Sequence, residues 1–183
     1  MGKPIGDGLN SNVDKYLEDI VDISGNINLE KMNDLKLAIQ KGTFSKEDIS
    51  YISKNMSQLG ITKEYETIMK SMDFGTYLKN IVGDPPTDMI NPHAHHILFK
   101  TGNGATQQAL VEEGQAIMRK YGIDPVVGVE NLVWAPNAVT GQHNVSALEK
   151  VVNALKEVDE ASGDYDDIVE ALEFLGLEAS LRK

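Results

Sequence analysis

The sequence predicts an α+β protein, mostly helical, that carries one small unit of two short strands and a following helix. Three observations predict it. Apolar residues recur at helical spacing through residues 1–80. A tract with three prolines and a glycine, "GDPPTDMINP", then interrupts the pattern. Beyond it, two short β-prone runs are separated and followed by amphipathic helices. The predicted organisation is a helical module or connector over 1–80 and a second domain over 81–183 that ends in an acidic helix.

The elements follow in order. "NVDKYLEDIVDI" puts Val13, Leu17, Ile20 and Val21 on one helical face, and "NLEKMNDLKLAIQKG" repeats the pattern before a C-terminal glycine. In "FSKEDISYISKNMSQLG" the Ser45 hydroxyl can cap a helix start, and Asp48, three positions on, can return the bond. Gly60 closes that helix, and "TKEYETIMKSMDFGTYLKNIVG" continues from a Thr62 cap. These stripes imply a small helical bundle. After the proline tract come a β-prone run "AHHILFK", a Gly-rich loop "TGNGA", and a helix "TQQALVEEGQAIMRKYG" that ends near Gly122. "VENLVWAP" is the second strand, "TGQHNVSALEKVVNALKEVDEA" a helix from near Thr140, and "YDDIVEALEFLGLE" the last helix.

Composition narrows the function classes. A length of 183 residues suits one domain, or a helical module with a compact partner. With 41% hydrophobic and 25% charged residues the chain reads as globular. No apolar run reaches membrane-spanning length, so no membrane-spanning segment is expected. "MGKPIGDGLNSN" lacks the basic start and apolar core of a signal peptide, which leaves a cytosolic protein or one exported by another route. Without cysteine, any metal must sit on nitrogen and oxygen ligands. The net charge of -11 argues against a broad non-specific nucleic-acid surface. Much of it lies in one place, however: nine acidic residues stand against two basic ones from Glu157 to Lys183. The rest of the chain is only mildly acidic and leaves room for a local phosphate-binding cleft.

Three of the four histidines fall in "NPHAHHILFK" and the fourth is His143. On a strand, His95 and His96 point to opposite faces and so take different jobs. His93 would share a face with His95 only if the strand began that early, which Pro92 argues against. Further on, Asn131 opens the second strand, and His143 lies at the start of the following helix. Taken singly, each histidine reads as an ordinary surface or hydrogen-bonded residue; the ordered set is what suggests chemistry.

That order, a His pair, an Asn at a strand start and a His on the first turn of a helix, is the order of the HNH nucleases. The stretch resembles the AHH family of the HNH/endonuclease VII-like (ββα-metal) superfamily, named for the tripeptide standing here as Ala94-His95-His96. "AHHILF", "YGID", "VENLVWAP" and "GQHN" occur in the family's order, and the resemblance spans about residues 85–157. It implies a hairpin-plus-helix unit gripping one divalent ion, with His95 and His143 as metal ligands and His96 as general base. Asn131 would bond across the hairpin loop near His96 and orient that ring.

The chemistry suits these residue types. A neutral imidazole can take a proton from water near neutral pH, and a divalent ion can stabilise charge on the phosphate and the leaving oxygen. Where richer relatives have a further ligand one turn after the last histidine, this chain has Ala147. Two imidazoles leave positions open for water, phosphate and Asn144, which favours Mg²⁺ or Mn²⁺, with Zn²⁺ or Ni²⁺ as alternatives. His93 and Asp84 are spare candidates. Lys100 and Lys150 are the expected phosphate contacts. Trp134 reads as a core aromatic more readily than as a base-stacking one, and "TGNGA", which has no Walker lysine, reads as a turn.

The resemblance implies a metal-dependent endonuclease at the C-terminal end of a bacterial polymorphic (LXG-like) toxin. Such a toxin is secreted by a non-classical export system, acts in the target-cell cytoplasm and is neutralised by a cognate immunity protein. DNA is the favoured substrate and RNA the alternative. A helical protein- or metal-binding module without catalysis is the reading from a different class.

Overall fold

A computed structural model describes residues 12–183; the first eleven residues, which include most of the segment read for a signal peptide, lie outside the described residues. Among those described are eight α-helices and one two-stranded antiparallel sheet, an α+β arrangement that is mostly helical. None of the helices is long and apolar enough to cross a membrane. The chain divides at Ile81/Val82 into two compact units.

In the first unit, α1 (Val13–Leu17), α2 (Leu29–Gln40), α3 (Lys46–Gln58), α4 (Thr62–Met69) and α5 (Phe74–Val82) pack around Met32, Leu35, Ile52, Met56, Tyr65 and Met69, all nearly or fully buried. The Ser45/Asp48 capping box forms at the start of α3 in both directions. Gly42 and Gly60 adopt the positive φ that ends α2 and α3. Three expectations need correcting. α1 is short because the chain turns at Asp19, which has a positive φ, into an isolated bridge between Val21 and Ile27. The helix expected to run on from Thr62 is two helices. Asp73 caps the second by accepting from Thr76 N–H and Thr76 hydroxyl, and Ile61 rather than Thr62 holds the cap position of α4.

The second unit holds β1 (Pro92–His96), α6 (Gly104–Lys120), a 3-10 turn (Val129–Asn131), β2 (Leu132–Pro136), α7 (Val145–Glu160) and α8 (Tyr165–Ser180). The strands pair from Pro92↔Pro136 to His96↔Leu132. α6 and α7 pack together, and α8 covers β2. Ile97, Leu98 and Phe99 leave the strand as an irregular apolar run and enter the core with Val111, Met118, Leu148, Val152, Ile168 and Leu172. Two glycines permit this density. A Cβ on Gly114 of α6 would meet Leu98 at 2.7 Å, and one on Gly176 of α8 would lie 3.0 Å from Ile97 Cδ1. The "TGNGA" loop is likewise a packed turn: Gly102 lies against the Gln107–Gln108 backbone, where a Cβ would sit 2.4 Å from the Gln108 nitrogen.

Candidate metal centre

The strand begins at Pro92, one residue before His93. Proline is tolerated at the first position of a strand, because the ladder bond it cannot donate is not needed there. The period of two then places His93 and His95 on one face. His93 therefore joins the site, against the expectation that Pro92 would leave it at the margin. His143 completes the group from the loop before α7. The helix starts later than expected, at Val145, so His143 sits just outside it and not on its first turn.

One ligand nitrogen from each of His93, His95 and His143 lies within 4.8 Å of the others. Ring centroids are 5.4 Å apart for His93–His95, 5.6 Å for His95–His143 and 6.3 Å for His93–His143. Metal–nitrogen bonds of about 2.1 Å need nitrogens about 3.3 Å apart, so the rings would close by up to about 1.5 Å around an ion. Phe99 packs edge-on against His143 at 5.5 Å and gives the cluster an apolar wall.

The donor set suits a metal. His93 Nδ1 lies 2.9 Å from the Ala135 carbonyl, its cross-strand partner; the carbonyl can only accept, so Nδ1 donates, and in the neutral ring the lone pair then sits on Nε2. His95 is 3% exposed. Burial first, then the charges of His93, Arg182, His143 and His96, push its pKa down to about 3. It is therefore a neutral ligand at physiological pH. His143 is shifted the same way, by burial and then by His93 and Arg182. Its backbone is fixed by Gln107 of α6, whose amide donates to the His143 carbonyl at 3.1 Å. The Gln142 amide nitrogen is 3.1 Å from His143 Nε2, while Gln142 Oε1 is buried without a partner. An ion at Nε2 would displace that bond. An ion at Nδ1 would let the amide turn and offer Oε1 to a protonated Nε2.

His96 and Asn131 frame this cluster. His96, 8% exposed, donates from Nε2 to the Val126 carbonyl at 2.8 Å on the other side of the strand. Its Nε2 is engaged there, and the ring is not one of the three that converge. Asn131 is fully buried at the end of the 3-10 turn. Its Oδ1 accepts from Leu98 N–H at 2.7 Å, and its Nδ2 donates to the carbonyls of Leu98 and Pro125. It thus ties the run after β1 to the loop before β2, two residues past His96 and not on His96 itself. Asp124 organises that loop, its carboxylate accepting from Val126 and Val127 N–H.

The remaining candidates fall elsewhere. Asn144 caps α7 by accepting from Ala147 N–H, so its side chain is used locally. Lys150 donates to both carboxylate oxygens of Glu178 on α8, at 2.6 and 2.8 Å. Lys100 follows the apolar run, where its carbonyl accepts from Gln115. Trp134 is half-buried and donates to the Gly83 carbonyl. Sequence reasoning missed Gln107, Gln142 and Arg182, none of which has a signal outside the folded chain.

Comparison with protein-family models, with curated proteins and with solved structures gives no match for this chain.

Proposed function

We propose that the second unit is a metal-dependent phosphodiesterase acting on nucleic acid, with DNA favoured and RNA the alternative. The observation that carries this reading is the convergence of three imidazoles from β1 and the entry to α7. The cross-hairpin bonds of Asn131 to Leu98 support it, because they join the two strands at the point where an HNH-type hairpin needs a tie. A divalent ion held there supplies activation of water and neutralisation of charge on the phosphate.

The protein's own residues do the rest. His93 is held by Ala135 through Nδ1, which would leave Nε2 to an ion, and His95 stays neutral because it is buried. His143 closes the set from a backbone that Gln107 holds. His96, on the Val126 carbonyl, keeps β1 against the 124–131 loop. Three nitrogen ligands move the expected metal toward Zn²⁺, Ni²⁺ or Mn²⁺ and away from Mg²⁺, which prefers oxygen ligands. In biological terms the reading is that of a toxin's effector part. It is carried by a larger secreted protein, acts in the cytoplasm of a recipient cell and is held in check by an immunity protein.

The test incubates the full chain with plasmid DNA and with total RNA, with EDTA or with Mg²⁺, Mn²⁺, Zn²⁺ or Ni²⁺. Cleavage should require metal and should fall at least about a hundredfold in His143→Ala and His93→Ala, while His96→Gln keeps most of it. Loss of cleavage in His96→Gln with metal affinity intact would restore His96 as the base. Metal binding by the wild type without cleavage of either substrate would leave a non-catalytic metal-binding module.

A further inference from the structure

α8 runs alongside β2 in the same direction. At its start the Tyr165 hydroxyl donates to the Glu130 carboxylate, just before β2. Midway, Gly176 lies against Val133, where a Cβ would be 3.7 Å from the Val133 Cβ. Six residues further along the helix is about 9 Å, and two or three further along the strand is about 7–10 Å. Arg182, just past the helix end, is therefore level with Ala135 and Pro136, the residues paired with His93 and Pro92. This is the end of the sheet that carries the histidine cluster.

Arg182 is only partly exposed, and its Nη1 is fully buried with no hydrogen-bond partner. A buried, unsatisfied guanidinium nitrogen is costly and is rare without a reason. Its charge is felt at both His95 and His143, where it disfavours protonation. The three residues that converge are all histidines, with no carboxylate among them. Three imidazole ligands bring no negative charge to a bound dication. A dication and a guanidinium at one end of a sheet repel each other unless an anion lies between them. A phosphate group meets both, with oxygen for the ion and oxygen for the planar fork of the arginine.

We infer that Arg182 is the anion clamp of the histidine centre, binding a phosphate oxygen of the substrate while the ion holds another. This rests on the reading of the site as a phosphodiesterase. It assigns the phosphate contact to the last residues of the chain instead of Lys100 or Lys150.

The experiment uses the full chain loaded with Mn²⁺ and inorganic phosphate as the probe. Phosphate affinity is read from ³¹P relaxation and Mn²⁺ affinity from electron paramagnetic resonance. Arg182→Gln should weaken phosphate binding about tenfold or more, and Arg182→Lys should recover part of the loss. Mn²⁺ affinity in the absence of phosphate should stay constant or rise in both, since a like charge has been removed or kept. Equal phosphate affinity in wild type and Arg182→Gln overturns the clamp. So does a parallel fall in Mn²⁺ affinity, which would mean that Arg182 only supports the fold. The two readings fail separately. Metal-dependent cleavage that Arg182→Gln leaves unchanged refutes the clamp alone. Arg182-dependent phosphate binding without nucleic-acid cleavage refutes the nuclease and leaves the clamp standing.

Discussion

Replacing Asn131 with alanine should cost the second unit about 3–5 kcal/mol of stability. The side chain is fully buried and makes three hydrogen bonds, to Leu98 N–H, the Leu98 carbonyl and the Pro125 carbonyl. Leu98 is itself fully buried, so its amide gains no water when the partner leaves. An orphaned buried donor or acceptor costs about 1–3 kcal/mol. Counting the amide near the top of that range and the carbonyls, which tolerate loss better, near the bottom gives the figure above. Asn131→Asp separates polarity from shape. The carboxylate can still accept from Leu98 N–H, but its other oxygen faces two carbonyls and it carries a buried charge, so it should be no more stable than the alanine variant. Trp134 is the only tryptophan and lies in the second unit, so its fluorescence during urea unfolding follows this unit selectively. A loss below about 1 kcal/mol in Asn131→Ala, or wild-type stability in Asn131→Asp, would refute the view that this amide ties the hairpin together.

Other perturbations have defined outcomes. Because burial holds the folded His95 pKa near 3 against an ordinary 6.5, the unfolded chain takes up a proton below about pH 6.5 that the folded chain refuses. Metal-free protein should therefore lose stability from His95 as pH falls from about 6.5 toward 3. A urea series in EDTA should show a smaller pH dependence for His95→Asn than for wild type, and identical slopes would contradict the assignment. Gly128→Ala places a Cβ 2.3 Å from the Asp124 carbonyl oxygen, so the 124–131 loop must shift. The cost should be about 1–3 kcal/mol or more, with weaker metal binding, and a wild-type urea midpoint would be inconsistent with this packing. Lys150 and Glu178 form an exposed pair, their side chains 59% and 41% accessible. Lys150→Ala should change stability by less than about 1 kcal/mol and leave cleavage within about twofold, whereas a large loss of cleavage would return Lys150 to the phosphate.

Local chemistry made most of the helices legible. The Ser45/Asp48 box and the glycines after α2 and α3 act within one turn of the chain, so their residue types announce them. The split between α4 and α5 was hidden because the apolar period continues across it, and only the Asp73–Thr76 bonds mark the new start. In the site, the order of His95, Asn131 and His143 was readable because each lies beside a strand or a helix start. His93 was discounted because a proline before it looked like a strand breaker, although proline at a strand's first residue breaks nothing. The roles of His96 and Lys150 depend on Val126 and Glu178, each about thirty residues away in sequence, and no spacing rule reports such partners. Arg182 was submerged in a tail whose average charge is acidic.

The two strands pair residues 36 to 44 positions apart, with the whole of α6 between them, and His143 stands 50 positions from His93. Helices of this length form from neighbours in the chain within about a microsecond, whereas closing so long a loop is slower and must precede any pairing reward. A refolding chain will thus recover its helical circular dichroism before its histidines meet. In that interval it holds His93, His95 and His96 as a local triplet without the fourth ring. The three rings that converge come together only when the excursion through α6 has closed. The cluster is a late product of the connectivity, absent from a partially folded chain however helical it has become.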